Sequence, residues 1–244
     1  MGSPLIIVED LSKKYKGAED FSLQHVSFTV SGGDKFGILG PNGAGKTTLI
    51  SIMCGIINAT GGKVKFNIPG LTEFNIGLVP QDYAFYNELT ATQNLEYFGV
   101  LYHLQKKEIR ERTEMILTLL GLSNYANKKV NTFSGGMKRR LNLAIGILHN
   151  PAILFLDEPT VGVDIQSRNA IIQFLNSINE SGTTIIYTSH HIQEAEQFCN
   201  KIALLDYGKI IAFDETGKLK EKNNSLSLTE VVLKLTGEDY RDDI

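Results

Sequence analysis

One nine-residue segment limits the folds open to this chain more than any other feature. It begins with one glycine, places another five residues later, and continues with lysine and two threonines: Gly40-Pro41-Asn42-Gly43-Ala44-Gly45-Lys46-Thr47-Thr48. Glycines at these positions let backbone N–H groups curl around a phosphate without a side-chain clash. Lys46 can then reach the β- and γ-phosphate oxygens, and the Thr47 hydroxyl can ligate Mg²⁺. The segment therefore predicts a phosphate-binding loop for a magnesium nucleotide.

The residues on either side of this loop match the strand and helix that such a loop requires. Residues 36–39 form a short apolar run before it, and residues 49–57 form an apolar segment of helical length after it. A helix placed there points the positive end of its dipole at the bound phosphate. An ordinary glycine-rich turn is the alternative, but it does not explain both neighbours.

Most of the chain alternates between strand-like and helix-like segments. Further strands are expected at 5–8, 26–30, 63–67, 76–80, 153–156, 184–188, 202–205 and 210–213. Further helices are expected at 165–178 and 192–198. Strands that alternate with helices indicate a mostly parallel sheet with helices on both faces.

The middle of the chain is helical instead. Thr90 and Gln93 have the spacing of a capping box, in which each side chain satisfies an amide group at a helix start. Apolar residues then recur at helical spacing from Leu95 to Leu104, and a second helical pattern ends near Gly121.

These patterns together predict the class and the domain organisation. We expect an α/β P-loop NTPase with a mostly parallel core sheet, an N-terminal antiparallel β subdomain and an α-helical insertion. The insertion is expected at 82–150 of a single domain that covers residues 1–244. A short, charged C-terminal extension is expected at 216–244.

A second motif is a pair of acidic residues at the end of a predicted buried strand. Asp157 and Glu158 follow the apolar run 153–156. Ligands of open α/β sheets bind at the carboxyl ends of the strands. Behind a phosphate-binding loop, Asp157 would hold Mg²⁺ through a water, and Glu158 would be the general base for the attacking water. Two acids at a strand end would, by themselves, equally fit a solvated turn.

A third motif, a serine followed by two glycines, precedes the acidic pair. Ser134 can cap the amphipathic helix that follows, and Gly135 and Gly136 leave the amide dipoles of its first turn uncovered. Such a helix end favours a phosphate group. A plain capped turn would contain the same residues.

Charge and hydropathy argue against two other classes of function. Lysine and arginine number 24 against 27 acidic residues, a net charge of −3, so no global basic field predicts nucleic-acid binding. We interpret the basic run Lys138-Arg139-Arg140 as a solvated helix face. The uncharged run 141–156 is 16 residues long and interrupted by polar residues and proline, so it is too short to span a bilayer.

The order of these motifs resembles the ATP-binding-cassette (ABC) ATPases. In that family a Ser-Gly-Gly signature lies between the phosphate-binding loop and a strand that ends in Asp-Glu, as here in Ile153-Leu154-Phe155-Leu156-Asp157-Glu158-Pro159. The resemblance covers residues 5–215. Phe133 and Met137 depart from the leucine and glutamine that are common beside the signature.

The resemblance implies roles for further residues. Tyr15 would stack on the adenine ring, and Gln81 would contact Mg²⁺ and the attacking water in a loop that faces a transmembrane partner. Asp164 lies in a segment that would cross a dimer interface. His190, which three intervening residues separate from the pair Glu194-Ala195, would contact the γ-phosphate and hold Glu158 in register. The implied catalytic set is Lys46, Gln81, Glu158 and His190.

Cofactors and partners also follow from the resemblance. ATP and Mg²⁺ are the implied cofactors, with two ATP molecules sandwiched between two subunits arranged head to tail. Each ATP would lie on the phosphate-binding loop and Gln81 of one subunit and on the signature of the other. The second subunit would be another copy or a different ATP-binding chain, and no nucleic acid is expected.

A separate transmembrane permease completes the implied assembly. It would dock near the Gln81 loop and the helices of 82–150, which would hold this chain at the cytoplasmic face of the inner membrane. The Phe-Ser-Gly-Gly-Met form of the signature at Phe133–Met137, together with the segments Leu78–Gln81 and Glu88–Leu95, resembles the branch that serves multidrug, antibiotic, sodium and lipid exporters. The leading hypothesis is therefore the ATP-hydrolysing subunit of an exporter.

Two other functions stand beside this hypothesis. A non-transport ABC ATPase would be a translation or DNA-maintenance factor, and such proteins resemble fused cassettes or carry long coiled coils or zinc inserts. The sequence has room for one cassette and shows no such insert. A P-loop kinase is disfavoured by the Ser-Gly-Gly signature and by His190.

Overall fold

A computed structural model describes residues 4–72 and 75–237 of the protein. Its strands, in chain order, are β1 Pro4–Lys13, β2 Leu23–Ser31, β3 Lys35–Leu39, β4 Gly61–Phe66, β5 Ile76–Val79, β6 Ile153–Asp157, β7 Thr184–Ser189, β8 Lys201–Asp206 and β9 Lys209–Glu215. Its α-helices are α1 Lys46–Met53, α2 Ala91–Leu101, α3 Lys106–Leu119, α4 Gly135–Ile147, α5 Ile165–Glu180, α6 Ile192–Phe198, α7 Thr216–Lys222 and α8 Leu228–Thr236.

The chain divides into two compact units. The first comprises Met1–Leu71 and Thr184–Ile244, and the second comprises Thr72–Thr183. The predicted helical insertion lies within the second unit, and the single-domain organisation stays a prediction.

The first unit contains two groups of strands. β1 lies between β2 and β4 and pairs with both in antiparallel orientation. β3 lies between β7 and β8 and pairs with both in parallel orientation, while β9 adds to β8 in antiparallel orientation. Together with the parallel β5–β6 pair of the second unit, this confirms the predicted α/β class with mostly parallel core strands and an antiparallel N-terminal sheet.

Three phenylalanines join the two strand groups of the first unit. The rings of Phe28 on β2 and Phe36 on β3 stack with centroids 5.0 Å apart. Phe213 on β9 lies against both rings in tilted orientation. Phe28 and Phe36 are almost completely buried, so this cluster is part of the hydrophobic core that fixes β3, the strand that leads into the phosphate-binding loop.

In the second unit, glycines bring the helix α4 close to the strand β5. A Cβ at Gly77 would lie 2.3 Å from the Gly146 carbonyl oxygen, and a Cβ at Gly146 would lie 2.5 Å from Val79 Cγ2. No other residue fits this contact. α4 thereby supports β5, whose neighbour β6 is buried along its whole length.

The helix starts predicted from the sequence are largely confirmed. Thr90 and Gln93 form the reciprocal capping box of α2, and the helix ends at Leu101 rather than continuing to Leu104. α1 begins earlier than predicted, directly at Lys46, and ends at Met53, because the next turn carries the chain away through Gly55, whose φ is +73°.

Residues 216–237 of the C-terminal extension pack within the first unit. Ser227 caps α8 by accepting a hydrogen bond from the Glu230 backbone, and Glu196 on α6 accepts one from the Leu228 backbone at 2.9 Å. Residues 238–244 of the predicted extension lie outside the described residues. Among the helices of 4–72 and 75–237, none has the length and apolar character needed to cross a bilayer.

Candidate nucleotide-binding site

The phosphate-binding loop takes the conformation for which its glycines are required. A Cβ at Gly40 would lie 2.1 Å from the Leu205 carbonyl oxygen, and one at Gly45 would lie 2.5 Å from the Ser22 carbonyl oxygen. Gly43 and Gly45 also have φ values of +80° and +107°, which side-chain-bearing residues rarely adopt. The loop therefore presents bare backbone between β3 and α1.

The buried side chain of Lys46 is hydrogen-bonded to the start of this loop. Its side chain is 5% exposed, and Nζ donates hydrogen bonds to the carbonyl oxygens of Gly40 at 2.7 Å and of Pro41 at 3.2 Å. The ammonium group thus lies against the start of the loop. Thr47, which begins the helix with Lys46, is exposed.

Tyr15 lies beside the start of α1, and its stacking on the adenine ring stays a prediction. Its hydroxyl oxygen is 3.4 Å from Thr48 Oγ1, and the Lys13 ammonium group lies 5.1 Å from the ring centroid. Tyr15 is 44% exposed. A partly exposed aromatic side chain beside a phosphate-binding loop can accept a stacked base.

His190 leaves the sheet at the same edge as the phosphate-binding loop. Leu39, the last residue of β3, pairs with Ser189, the last residue of β7. His190 and Gly40 are the next residues of two neighbouring parallel strands, so both lie at the carboxyl edge where ligands bind in such sheets. The first unit thus brings together Tyr15, the loop and His190.

The acidic pair occupies the corresponding edge in the second unit. Asp157 is 3% exposed and Glu158 is 5% exposed. Val79 on β5 pairs with Leu156 on β6, so the Gln81 segment and the acidic pair leave the sheet side by side. Glu158 has a φ of +50°, in the left-handed region, and such strain in a non-glycine residue costs on the order of 1–3 kcal/mol and clusters at functional sites.

Two polar side chains of α4 hold the segment that contains Gln81. Asn142 is 2% exposed, donates to the Pro80 carbonyl oxygen at 3.0 Å and accepts from the Ala84 backbone at 3.1 Å. Arg139 donates to the Gln81 carbonyl oxygen at 2.7 Å.

Burial corrects our interpretation of the basic run Lys138-Arg139-Arg140 as a solvated helix face. Arg139 is only 5% exposed, because backbone carbonyl groups of two loops surround it. Sequence reasoning also gave no role to Asn142. The available signal was one polar residue inside the apolar stretch from Leu141 to Ile147, placed three residues after Arg139 on the same helix face.

The Ser-Gly-Gly signature forms the start of α4. Ser134 is the N-cap and its Oγ accepts a hydrogen bond from the Met137 backbone at 3.3 Å. Ser134 and Gly135 are exposed, whereas Gly136 is buried. A Cβ at Gly136 would lie 2.4 Å from Ser167 Oγ, so glycine is required where α4 meets α5.

Asp164 caps α5 within its own unit. Its carboxylate accepts hydrogen bonds from the Ser167 backbone and the Ser167 hydroxyl, each at 2.8 Å. These bonds lower the pKa of Asp164 below its ordinary value. These contacts do not test the role of Asp164 at a dimer interface, which stays a prediction.

The oxygen donors of the phosphate-binding loop and of the segments after β5 and β6 suit a magnesium ion. Mg²⁺ prefers hard oxygen ligands and is bound through one or two protein groups together with substrate phosphates. Thr47, Asp157 and Gln81 carry a hydroxyl, a carboxylate and an amide oxygen. They lie in two different units, so their convergence on one ion stays a prediction.

Comparison with known proteins places these motifs in a family. The family model described as ABC transporter matches residues 23–161. The chain is 42% identical over 214 residues to the linearmycin resistance ATP-binding protein LnrL of Bacillus subtilis (strain 168), covering 85% of this chain and 68% of the relative. It is 34% identical to the daunorubicin resistance ATP-binding protein DrrA3 of Streptomyces coeruleorubidus, covering 98% of this chain and 76% of that one.

A solved structure agrees with these sequence relatives. The dimeric structure of a post-hydrolysis state of the ATP-binding cassette MJ0796, bound to ADP and Pi, matches with a TM-score of 0.78 and 28% identity. The match covers 86% of this chain and 98% of that one. Because the family model spans more than half of the chain and both relatives exceed 30% identity, the chain belongs to the ABC transporter family and is one of its ATP-binding ATPases.

Proposed function

We propose that this chain is the ATP-hydrolysing subunit of an exporter whose membrane-spanning permease is a separate chain. The observation that carries the proposal is the phosphate-binding loop with Lys46 folded into it and Tyr15 beside it. LnrL and DrrA3 are both named as resistance ATP-binding proteins, which supports export of a toxic compound rather than import.

The working unit in this proposal is a head-to-tail pair of copies. The exposed Ser134 and Gly135 give α4 an uncovered N-terminus that favours an anion. In the pair, this end of one copy faces the γ-phosphate of the ATP held on Lys46 of the other. One chain carries both intact motif sets, so two copies suffice, and the dimeric MJ0796 cassette supports the arrangement.

Hydrolysis in this site is an in-line attack of water on the γ-phosphorus. Glu158 accepts the proton of the attacking water, and Gln81 orients that water. Lys46 and His190 bind the γ-phosphate oxygens as negative charge moves toward the leaving ADP. Thr47, Gln81 and, through a water, Asp157 would hold Mg²⁺, which would supply positive charge to neutralise the phosphates.

The permease in this proposal docks on the segment after Gln81 and on α2. Large apolar and aromatic side chains of this region are exposed, among them Tyr83, Tyr97, Val100 and Leu101. An exposed apolar group of this kind indicates a protein-binding surface. Docking there would hold the chain at the cytoplasmic face of the membrane.

A Glu158→Gln variant tests the catalytic assignment. The amide cannot accept the proton, so ATP turnover should fall by at least about a hundredfold, while ATP still binds and holds two copies together. Steady-state ATPase rates and the mass of the particle in ATP measure both effects. Wild-type turnover in this variant would refute the role of Glu158.

A Lys46→Ala variant is the companion experiment for the phosphate-binding loop. It removes the charge that would bind the phosphates, so ATP affinity should fall and no ATP-dependent dimer should form. Thermal unfolding provides the control that the loop still folds. An unchanged ATP titration would contradict the assignment.

A further inference from the structure

Arg139 is a buried cation that contacts two loops of the second unit at once. Its Nη1 donates to the Gln81 carbonyl oxygen at 2.7 Å, and its Nη2 points to the Val161 carbonyl oxygen at 3.4 Å. The side chain is 5% exposed, and its Nε–H group has no partner among the described residues. Both acceptors are backbone atoms, so these hydrogen bonds depend on where the two loops lie and not on which side chains they carry.

A tyrosine from the Gln81 segment covers the guanidinium group. Arg139 Cζ lies 5.1 Å from the centroid of the Tyr83 ring, within the range of a cation–π contact. The Tyr83 hydroxyl donates to the Gly135 carbonyl oxygen at 3.3 Å, in the first turn of α4. The Gln81 segment is therefore attached to α4 both at Arg139 and at the signature itself.

The groups around Arg139 favour its protonated, charged form. Burial lowers the pKa of Arg139, and the nearby groups Tyr83, Asp82, Glu158 and Asp157 oppose that effect. An arginine stays charged under such conditions. Removing the side chain would leave two loop carbonyl groups without this donor in a buried site, which is costly.

We propose that Arg139 is a positioning residue that fixes the Gln81 segment and the 161–164 turn to the signature helix, so that these three motifs move as one body. The planar fork of arginine donates from two nitrogens at once, which a lysine ammonium group cannot reproduce at two separated carbonyl groups. The inference rests on the ATPase activity of the family and does not depend on export or on a permease.

An Arg139→Lys variant separates positioning from charge. The charge stays, but only one of the two carbonyl groups can be reached, so Gln81 and the 161–164 turn lose their common anchor. A misplacement of a catalytic group by about 1 Å can cost a hundredfold, and we expect kcat for ATP hydrolysis to fall about ten- to a hundredfold. KM for ATP should change by less than about threefold, because the lost interaction does not bind the nucleotide.

Arg140 offers a matched control on the same helix. Its Nη1 donates to the Leu120 carbonyl oxygen at 2.8 Å and its Nε to the Gly136 carbonyl oxygen at 3.3 Å, so it contacts neither loop. Arg140→Lys makes the same chemical change and should leave kcat within about twofold of wild type. Should Arg139→Lys not fold, as judged by thermal unfolding, the pair Arg139→Gln and Arg140→Gln takes the place of the two lysine variants, because both lose one charge and only the first loses contacts to the two loops.

Amide hydrogen exchange on the full chain tests the same proposal without turnover. Arg139→Lys should raise exchange at 81–86 and at 161–164 together, whereas Arg140→Lys should raise it at neither. Wild-type kcat in Arg139→Lys, an equal kcat loss in Arg140→Lys, or faster exchange in only one of the two loops would overturn the proposal. A failure of the export function would leave all of these results unchanged.

Discussion

The contact between the signature helix and α5 gives a prediction that can be worked out from distances. Replacing Gly136 by alanine would place its Cβ 2.4 Å from Ser167 Oγ and 2.9 Å from Ser167 Cβ. The Ser167 hydroxyl is held by the Asp164 carboxylate and cannot turn away without losing that bond. Forcing a methyl group into such a site costs about 1–3 kcal/mol of folding free energy.

Gly135 is the matched control for this substitution. A Cβ at Gly135 would meet no atom closer than the Gly162 carbonyl oxygen at 3.8 Å, which is an ordinary contact. Both alanine variants reduce the conformational entropy of the unfolded chain to a similar degree, by about 0.4–1 kcal/mol. The difference between the two variants therefore isolates the clash, and we expect Gly136→Ala to be less stable than Gly135→Ala by about 1–3 kcal/mol.

Urea unfolding of the two variants measures this difference. A Ser167→Gly substitution removes both close atoms, so it should cost at least about 1 kcal/mol less in the Gly136→Ala background than in the wild-type background. Unfolding of both alanine variants at the same urea concentration, with no coupling in the double-mutant cycle, would refute the close contact between Gly136 of α4 and Ser167 of α5.

Two further predictions concern stability. Thr90→Ala removes the N-cap of α2 and should cost about 1 kcal/mol in urea unfolding, and an unchanged midpoint would contradict the capping box. Burial lowers the pKa of His149, so the unfolded chain takes up the proton at a higher pH than the folded chain does. The contribution of His149 to the free energy of unfolding is therefore lost as pH falls below about 6.5, with a slope of at most about 1.4 kcal/mol per pH unit. A His149→Phe variant should lose less stability than wild type between about pH 7.5 and 5.5. Parallel pH profiles of the two proteins would exclude this effect.

Local sequence patterns predicted most elements, because their signals act over a few residues. The phosphate-binding loop needs bare backbone, which only glycine supplies, so its spacing could be read directly as structure. The capping box of α2 is equally local. The buried strand β6 followed from four consecutive apolar residues ahead of Asp157.

Features that depend on distant contacts could not be predicted in this way. The sequence of the basic run is typical of an exposed face, yet Arg139 is buried because carbonyl groups 58 residues earlier and 22 residues later in the chain surround it. The helix α8 lies in a charged tail, and its buried face depends on packing against α6 and α7. The left-handed conformation of Glu158 has no sequence signal, since glutamate rarely adopts it.

Mixing two inactive variants tests most directly whether ATP is hydrolysed between two copies of this chain. Lys46→Ala lacks a working phosphate-binding loop, and Ser134→Arg obstructs the signature, so neither protein alone should turn over ATP. In an equal mixture, each pair of one Lys46→Ala copy and one Ser134→Arg copy contains one fully intact site of the two, so we expect ATPase activity to return, up to about half of the wild-type value. A mixture no more active than either variant alone would contradict the shared site.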